Sequence, residues 1–169
     1  LYYTMPYISG ESLAARLGHS PRLAVADGVQ IVCEVADALD YAHKQGVVHR
    51  DVKPGNVLLE SGHAVVTDFG IARAVQGEAK VDGGVLTQTG FVLGTPAYMS
   101  PEQGCGDQVD GRSDEYALAC VLYEVLAGEP PFSGKTMASL LVQHLVHTPP
   151  PLKRPDVPQT VQQILTIAL

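Results

Sequence analysis

Apolar side chains recur every three or four positions at Val25, Val29, Val32, Val35, Leu39 and Ala42, which on a helix form one continuous stripe. Ser20-Pro21 upstream is a start signal, a capping hydroxyl followed by a proline whose missing N–H costs nothing in a first turn. Gly46 supplies the left-handed stop. The period then changes. Val57-Leu58-Leu59 and Ala64-Val65-Val66-Thr67 are short β-type runs, and Ser61-Gly62 between them predicts a hairpin. From Asp68 to Glu102 the chain is rich in Gly, Thr and Gln without sustained periodicity, which predicts a long loop of the kind that is usually functional. From Ser113, the expected cap, to Ala127 the apolar residues run almost all round the helix, so it belongs in a core. Gly128 and Pro130-Pro131 close it. A third helix is predicted from Thr136 to about Leu145, then an extended connector over Pro149 to Pro158, then an amphipathic helix from Thr160 to Leu169. The P-x-x-P spacing in the connector reads as a rigid linker rather than an SH3-type ligand. In the last helix Ile164, Leu165, Ile167 and Leu169 are expected to lack full packing.

Composition narrows the class. The 169 residues are 46% hydrophobic, enough for one domain with a sizeable core. A net charge of −7 with only 11 Lys and Arg argues against a nucleic-acid partner, because neutralising phosphates requires a basic face. No apolar run is long enough to span a membrane, so no membrane contact is expected within these residues. Cys33, Cys105 and Cys120 lack metal-type spacing; Cys33 and Cys120 fall in helical apolar patterns and read as small buried hydrophobes. Three free cysteines suit a reducing cytoplasm, with any membrane anchor of the full-length protein lying elsewhere. His19, His43, His63, His144 and His147 form no ligand constellation and read as surface or structural residues.

The chemistry is concentrated between His49 and Glu102. His49-Arg50-Asp51-Val52-Lys53-Pro54-Gly55-Asn56 is followed by Asp68-Phe69-Gly70 and then Ser100-Pro101-Glu102. Asp51 can accept the proton of an incoming hydroxyl, and Lys53 can neutralise a transferring phosphate. Asn56 and Asp68 are hard-oxygen ligands for magnesium bridging ATP phosphates, and the hairpin between them brings both to one edge. An isolated aspartate beside an arginine is most often only a salt-bridged loop residue; the three motifs in this order change that reading.

By these motifs the sequence resembles the protein kinase superfamily, in particular the bacterial eukaryotic-like (Hanks-type) Ser/Thr protein kinases. The resemblance implies an α+β protein-kinase-like fold, here mainly the α-helical large lobe with a small β-hairpin at the cleft. Residues 1–8 would be the end of the small lobe and the hinge, and residues 9–169 the large lobe, truncated at its C-terminus. No Gly-rich phosphate loop and no V-A-I-K-like strand occur, so the segment alone is expected to be inactive. Met5, Pro6 and Ile8 align with gatekeeper and hinge, Leu58 with the floor under adenine, and Glu11 with a ribose contact, although on spacing alone Glu11 is an exposed acid in a turn. Lys53 and Thr95 match the Ser/Thr branch, Thr95 as the threonine that bonds back to the catalytic aspartate and lysine. His49 and Phe69 match packing residues. Asp114 matches the aspartate that fixes the catalytic-loop backbone, although a charge favourable at a helix N-terminus explains it equally well.

Thr87 and Thr89 resemble activation-loop phosphosites, with Arg50 and Arg73 as phosphate partners and self-association of the kinase for autophosphorylation. The implied activity transfers the γ-phosphoryl of ATP, with Mg2+ or Mn2+, to Ser/Thr hydroxyls of protein substrates. The rivals are a pseudokinase scaffold, which intact Asp51, Lys53, Asn56 and Asp68 oppose, and a small-molecule kinase, which the S-P-E segment and the threonine-bearing loop oppose. Two departures stand out. The arginine that pairs with Glu102 in similar kinases belongs to a later segment outside these residues, and Glu115 and Ala119 replace an apolar residue and a glycine. A charge at position 115 must face water or find a partner.

Overall fold

The computed structural model describes residues 8–69 and 96–169. Met5, Pro6, Arg73, Thr87, Thr89 and Thr95 lie outside the described residues. The chain runs through β1 (Glu11–Ser12), α1 (Leu13–His19), α2 (Val25–Lys44), β2 (Val57–Glu60), β3 (His63–Val66), α3 (Pro101–Cys105), α4 (Gly111–Ala127), α5 (Met137–Val146) and α6 (Gln159–Ala168). It is mainly helical with one small antiparallel sheet, as expected of an α+β kinase-like large lobe.

Helix α1 was not expected. The Ser12 hydroxyl caps it by accepting from Ala15 N at 3.1 Å, and Leu13 and Leu17 turn into the core. Ser20-Pro21 therefore does not start the long helix; Ser20 ends α1, its N–H donating to Arg16 O at 2.8 Å. Leu23 N then donates to Val125 O at 3.1 Å, which ties the linker to the far end of α4 and delays α2 until Val25. The buried face of α2 is Gly28, Ile31, Val35, Leu39 and Ala42, slightly rotated from the predicted stripe. Gly28 explains the rotation: a Cβ there would lie 2.6 Å from Val125 Cγ1, so the glycine lets the two helices approach. Cys33 is exposed, contrary to expectation, because this rotation turns it away from α4.

Strands β2 and β3 pair Val57 with Val66 and Glu60 with His63. Ser61 (φ 52) and Gly62 (φ 85) both take left-handed backbone, the two-residue turn that matches strand twist. β1 adds a third strand, Glu11 opposite Leu59.

Helix α4 is the centre of the molecule. Ala117, Leu118, Val121 and Val125 face one cluster with α1, α2 and the hairpin, while Ala119, Leu122, Tyr123 and Leu126 face a second with Val157 and Leu165. Two cores on opposite sides account for a helix apolar almost all round. Its cap is Asp110, accepting from Arg112 N at 2.9 Å, and not Ser113, which lies inside the first turn and donates to Glu102. Glu115 is exposed, so its charge is solvated, and Ala119 is buried in the second cluster. Helix α5 starts from Thr136 as predicted. In α6, Leu165 is buried after all, seated on the second core, whereas Ile164 and Ile167 are 56% and 86% exposed. No described helix is long and apolar enough to cross a membrane.

Candidate active site

The loop between α2 and β2 holds the candidate residues Asp51, Lys53 and Asn56. Asp51 Oδ2 accepts from Lys53 Nζ at 2.6 Å and from Asn56 Nδ2 at 3.1 Å, and Asn56 Nδ2 also donates to the Asp51 carbonyl at 2.8 Å. A carboxylate, an ammonium and a carboxamide thus converge on one point, partly open to solvent. Because the Asn56 amide nitrogen is spent on Asp51, its Oδ1 is the end left for a cation, and it accepts no hydrogen bond among the described residues.

The hairpin then carries the chain to Asp68. Thr67 N donates to Asn56 O at 2.9 Å, so the residue before Asp68 is paired directly with Asn56. Asp68 is exposed and has φ 63, an uncommon conformation outside glycine. Asn56 and Asp68 are therefore brought to the same end of the hairpin, and the donor set, two hard oxygens, suits Mg2+. Among the described residues no group of three or more His, Cys, Asp or Glu is placed to hold a metal ion.

His49 is 1% exposed, its ring 4.7 Å from that of Phe69. Its tautomer follows from its partners. The Asp51 amide can only donate, so His49 Nδ1 accepts it at 3.2 Å; the Thr67 carbonyl can only accept, so Nε2 carries the proton and donates at 2.9 Å. The ring thereby links the backbone of Asp51 to the residue before Asp68.

The loop backbone is held from α4. Asp114, 1% exposed, accepts from His49 N at 2.8 Å, from Arg50 N at 2.7 Å and from His43 Nε2 at 2.7 Å. Of its two readings, the geometry selects fixation of the loop over a helix-end charge. These bonds stabilise Arg50 at φ 69, a left-handed conformation that costs an L-residue about 1–2 kcal/mol. On the other side, Gln103 Nε2 donates to Arg50 O at 2.8 Å. Neither Gln103 nor His43 was singled out from sequence. Gln103 had a signal, since Ser100 followed three residues later by Gln is a capping box, and both of its bonds form.

The remaining candidates are placed as follows. Glu11 sits in β1 with its carboxylate on Arg16 Nε at 2.7 Å. Leu58 lies in β2 between Ser12 and Val65, half-buried, and Ile8 is likewise half-buried. Glu102 accepts from the Ser113 hydroxyl; burial pushes its carboxyl up, but the hydrogen bonds from Ser113 and its own backbone outweigh that and leave it below the usual range. Tyr98 donates to Glu124 Oε2 at 2.6 Å, beside a cavity of about 430 Å3 that reaches Lys53 and Pro54. Burial pushes both groups up, Tyr98 further because it also faces the Glu124 carboxylate.

A family model described as protein kinase domain matches residues 1–165. The chain belongs to the protein kinase family. It is 44% identical over 155 residues to serine/threonine-protein kinase PknB of Mycobacterium leprae, covering 90% of this chain and 24% of that protein. It is 42% identical over 171 residues to a probable serine/threonine-protein kinase PknB of Bifidobacterium longum, covering 99% and 24%. With serine/threonine-protein kinase PknA of Mycobacterium tuberculosis the identity is 40%, over 99% of this chain and 38% of the relative. The chain thus spans about a quarter of the length of the first two relatives. In this protein kinase domain the H-R-D and S-P-E segments, far apart in sequence, are joined through Gln103, and H-R-D is joined to α4 through Asp114.

Proposed function

We propose that the full-length protein is a Ser/Thr protein kinase that transfers the γ-phosphoryl of Mg-ATP to Ser or Thr hydroxyls of proteins, and that residues 9–169 are most of its large lobe. The observation that carries this is the convergence of Lys53 and Asn56 on Asp51 Oδ2. Asp51 receives the substrate hydroxyl and takes its proton as the new O–P bond forms and the bond from the γ-phosphorus to the bridging oxygen breaks, ADP leaving with that oxygen. Lys53 then leaves Asp51 for the transferring phosphoryl oxygens, so the ammonium that now neutralises the carboxylate neutralises the charge that moves. Asn56 Oδ1 and Asp68 would hold the magnesium, with manganese a substitute; the ion shields the phosphate charge when it arrives with ATP. The protein's work is positioning and charge stabilisation, for which a loop clamped at His49, Arg50 and Asp51 is suited. A scaffold without catalysis would not require these groups together.

In the full-length protein, Asp51→Asn should lower kcat by roughly 10²–10⁴ while ATP affinity changes little, the usual worth of a positioned general base. Near-normal turnover of a protein substrate by this variant would refute the assignment. Thr87 and Thr89 are proposed as autophosphorylation sites, each phosphate bringing about −1.5 to −2 of charge to be met by Arg50 and Arg73. Mass spectrometry of the active protein should find phosphate on one or both. Its absence, with unchanged activity in Thr87→Ala/Thr89→Ala, would remove the switch.

A further inference from the structure

The peptide unit between Arg50 and Asp51 is held at both ends. Its N–H, on Asp51, donates to His49 Nδ1 at 3.2 Å, and its C=O, on Arg50, accepts from Gln103 Nε2 at 2.8 Å. This unit sits directly before the Asp51 Cα, and rotating it re-aims the carboxylate. The residue before it is in left-handed backbone at φ 69, so release gives the unit somewhere downhill to go. His49 lies within the same loop and moves with it. Gln103 does not: it belongs to α3, the short helix that begins at Ser100-Pro101.

Both ends of the Gln103 carboxamide are used. Oε1 accepts from Ser100 N at 3.0 Å while Nε2 reaches Arg50, and Gln103 N in turn donates to the Ser100 hydroxyl at 3.4 Å. The cap that forms α3 therefore also fixes which way the amide points: with Oε1 turned to a backbone donor, the NH2 must face the Arg50 carbonyl. Helix α3 is itself anchored from α4, since Ser113 donates to Glu102. Ser100 is completely buried, which leaves the cap no water to exchange with.

We infer that Gln103 is a positioning residue for Asp51: it transmits the placement of helix α3 to the catalytic loop by fixing the Arg50–Asp51 peptide. The inference rests on the kinase reading for its effect on turnover, but not for its effect on the loop. A glutamate at position 103 keeps the acceptor for Ser100 N and turns an oxygen on the Arg50 carbonyl. A methionine has nearly the same volume and makes neither bond. Ser100→Ala removes only the hydroxyl acceptor of Gln103 N and keeps both bonds of the carboxamide, so it reports loss of the cap hydroxyl with the bridge to Arg50 intact.

The experiment measures two things in the full-length protein for Gln103→Glu, Gln103→Met and Ser100→Ala: hydrogen exchange at the Asp51 amide, and kcat and KM for ATP. Both Gln103 variants should speed exchange at Asp51 roughly tenfold, about the worth of one hydrogen bond, and lower kcat by a similar factor with KM for ATP within twofold. Ser100→Ala should leave Asp51 exchange within twofold of wild type. Unchanged exchange at Asp51 in both Gln103 variants would overturn the inference, as would equal acceleration in Ser100→Ala, which would assign the effect to the cap hydroxyl and not to the carboxamide bridge. A wild-type protein without kinase activity would overturn the proposed function, while the exchange result would still decide the role of Gln103.

Discussion

Replacing Asp114 by asparagine changes one atom type at a site where three donors converge. The carboxylate accepts from Arg50 N through Oδ1, and from His49 N and His43 Nε2 through Oδ2. An asparagine can keep an oxygen at only one of these positions. If it faces His49, the new NH2 points at the Arg50 N–H; if it faces Arg50, the NH2 points at two donors. The first choice is the less costly and still loses one bond to a charged acceptor, about 1.5–3 kcal/mol, and leaves a backbone N–H unpaired, about 1–3 kcal/mol. Site burial leaves little room for water to compensate, Asp114 being 1% exposed. The expected loss is about 3–5 kcal/mol, a large part of the roughly 5–15 kcal/mol that holds a domain together.

The same change should reach the chemistry. Without the bond to its N–H, Arg50 can leave its left-handed conformation, and Asp51 is displaced with it. A misplacement of about 1 Å in a reacting group costs on the order of 10² in rate. Urea titration and steady-state kinetics of Asp114→Asn and of Asp110→Asn, the exposed cap of the same helix, separate the two effects. Asp110→Asn should leave kcat unchanged, since its partners are all on Arg112. A loss under about 1 kcal/mol with normal turnover in Asp114→Asn would refute the argument that this carboxylate holds the loop.

Two further outcomes test the packing behind the site. Glu34 accepts from Ala64 N at 2.6 Å and pairs with Gln30 and His63, tying α2 to the hairpin; these bonds, the Ala64 N–H foremost, lower its carboxyl to about 2. A depressed folded-state value means stability present above the unfolded value of about 4.3 and lost as pH falls towards 2, so the gap between wild type and Glu34→Gln in denaturant midpoint should close over that window; a gap independent of pH would refute it. Gly28→Ala gains about 1 kcal/mol of helix propensity but drives a methyl to 2.6 Å from Val125 Cγ1, in a fully buried side chain, and overpacking costs about 1–3 kcal/mol. The melting temperature should fall; a rise would show that α2 and α4 have room to spare.

The elements read correctly from sequence are those whose signals are local. The β2–β3 hairpin needed only two β-type runs and Ser61-Gly62, and the centrality of α4 followed from apolar residues on every side. The misses are competitions that sequence does not resolve. Ser20 and Ser113 both have capping chemistry, but Ser20 closes α1 and Ser113 is drawn to Glu102, which leaves α2 to start uncapped and α4 to start on Asp110. Helix α1 has seven residues and only Leu13 and Leu17 buried, too few turns for a period to show. Cys33 was misplaced because a stripe predicted from six positions fixes a helix's rotation only roughly, and Gly28, without a side chain, contributed nothing to it.

The site divides along the same line, with a consequence for how it works. Asp51, Lys53 and Asn56 were legible because all three lie within one loop, where spacing alone puts an acid, a base and an amide in reach of each other. What orients them was legible only in part: the resemblance pointed to Asp114, and nothing pointed to the reach of Gln103 into the loop. Asp114 bonds to Arg50 across 64 positions and Gln103 bonds to it across 53, and neither distance leaves a trace in the loop's own sequence. Arg50 is the residue on which both act, at its N–H and at its C=O, and its own backbone is left-handed at φ 69. A loop that preferred its active shape unaided would need no such clamps. One held in an unfavourable shape by α4 on one side and α3 on the other is released when either support moves, so the conformation of Asp51 depends on helices that never touch the reacting atoms.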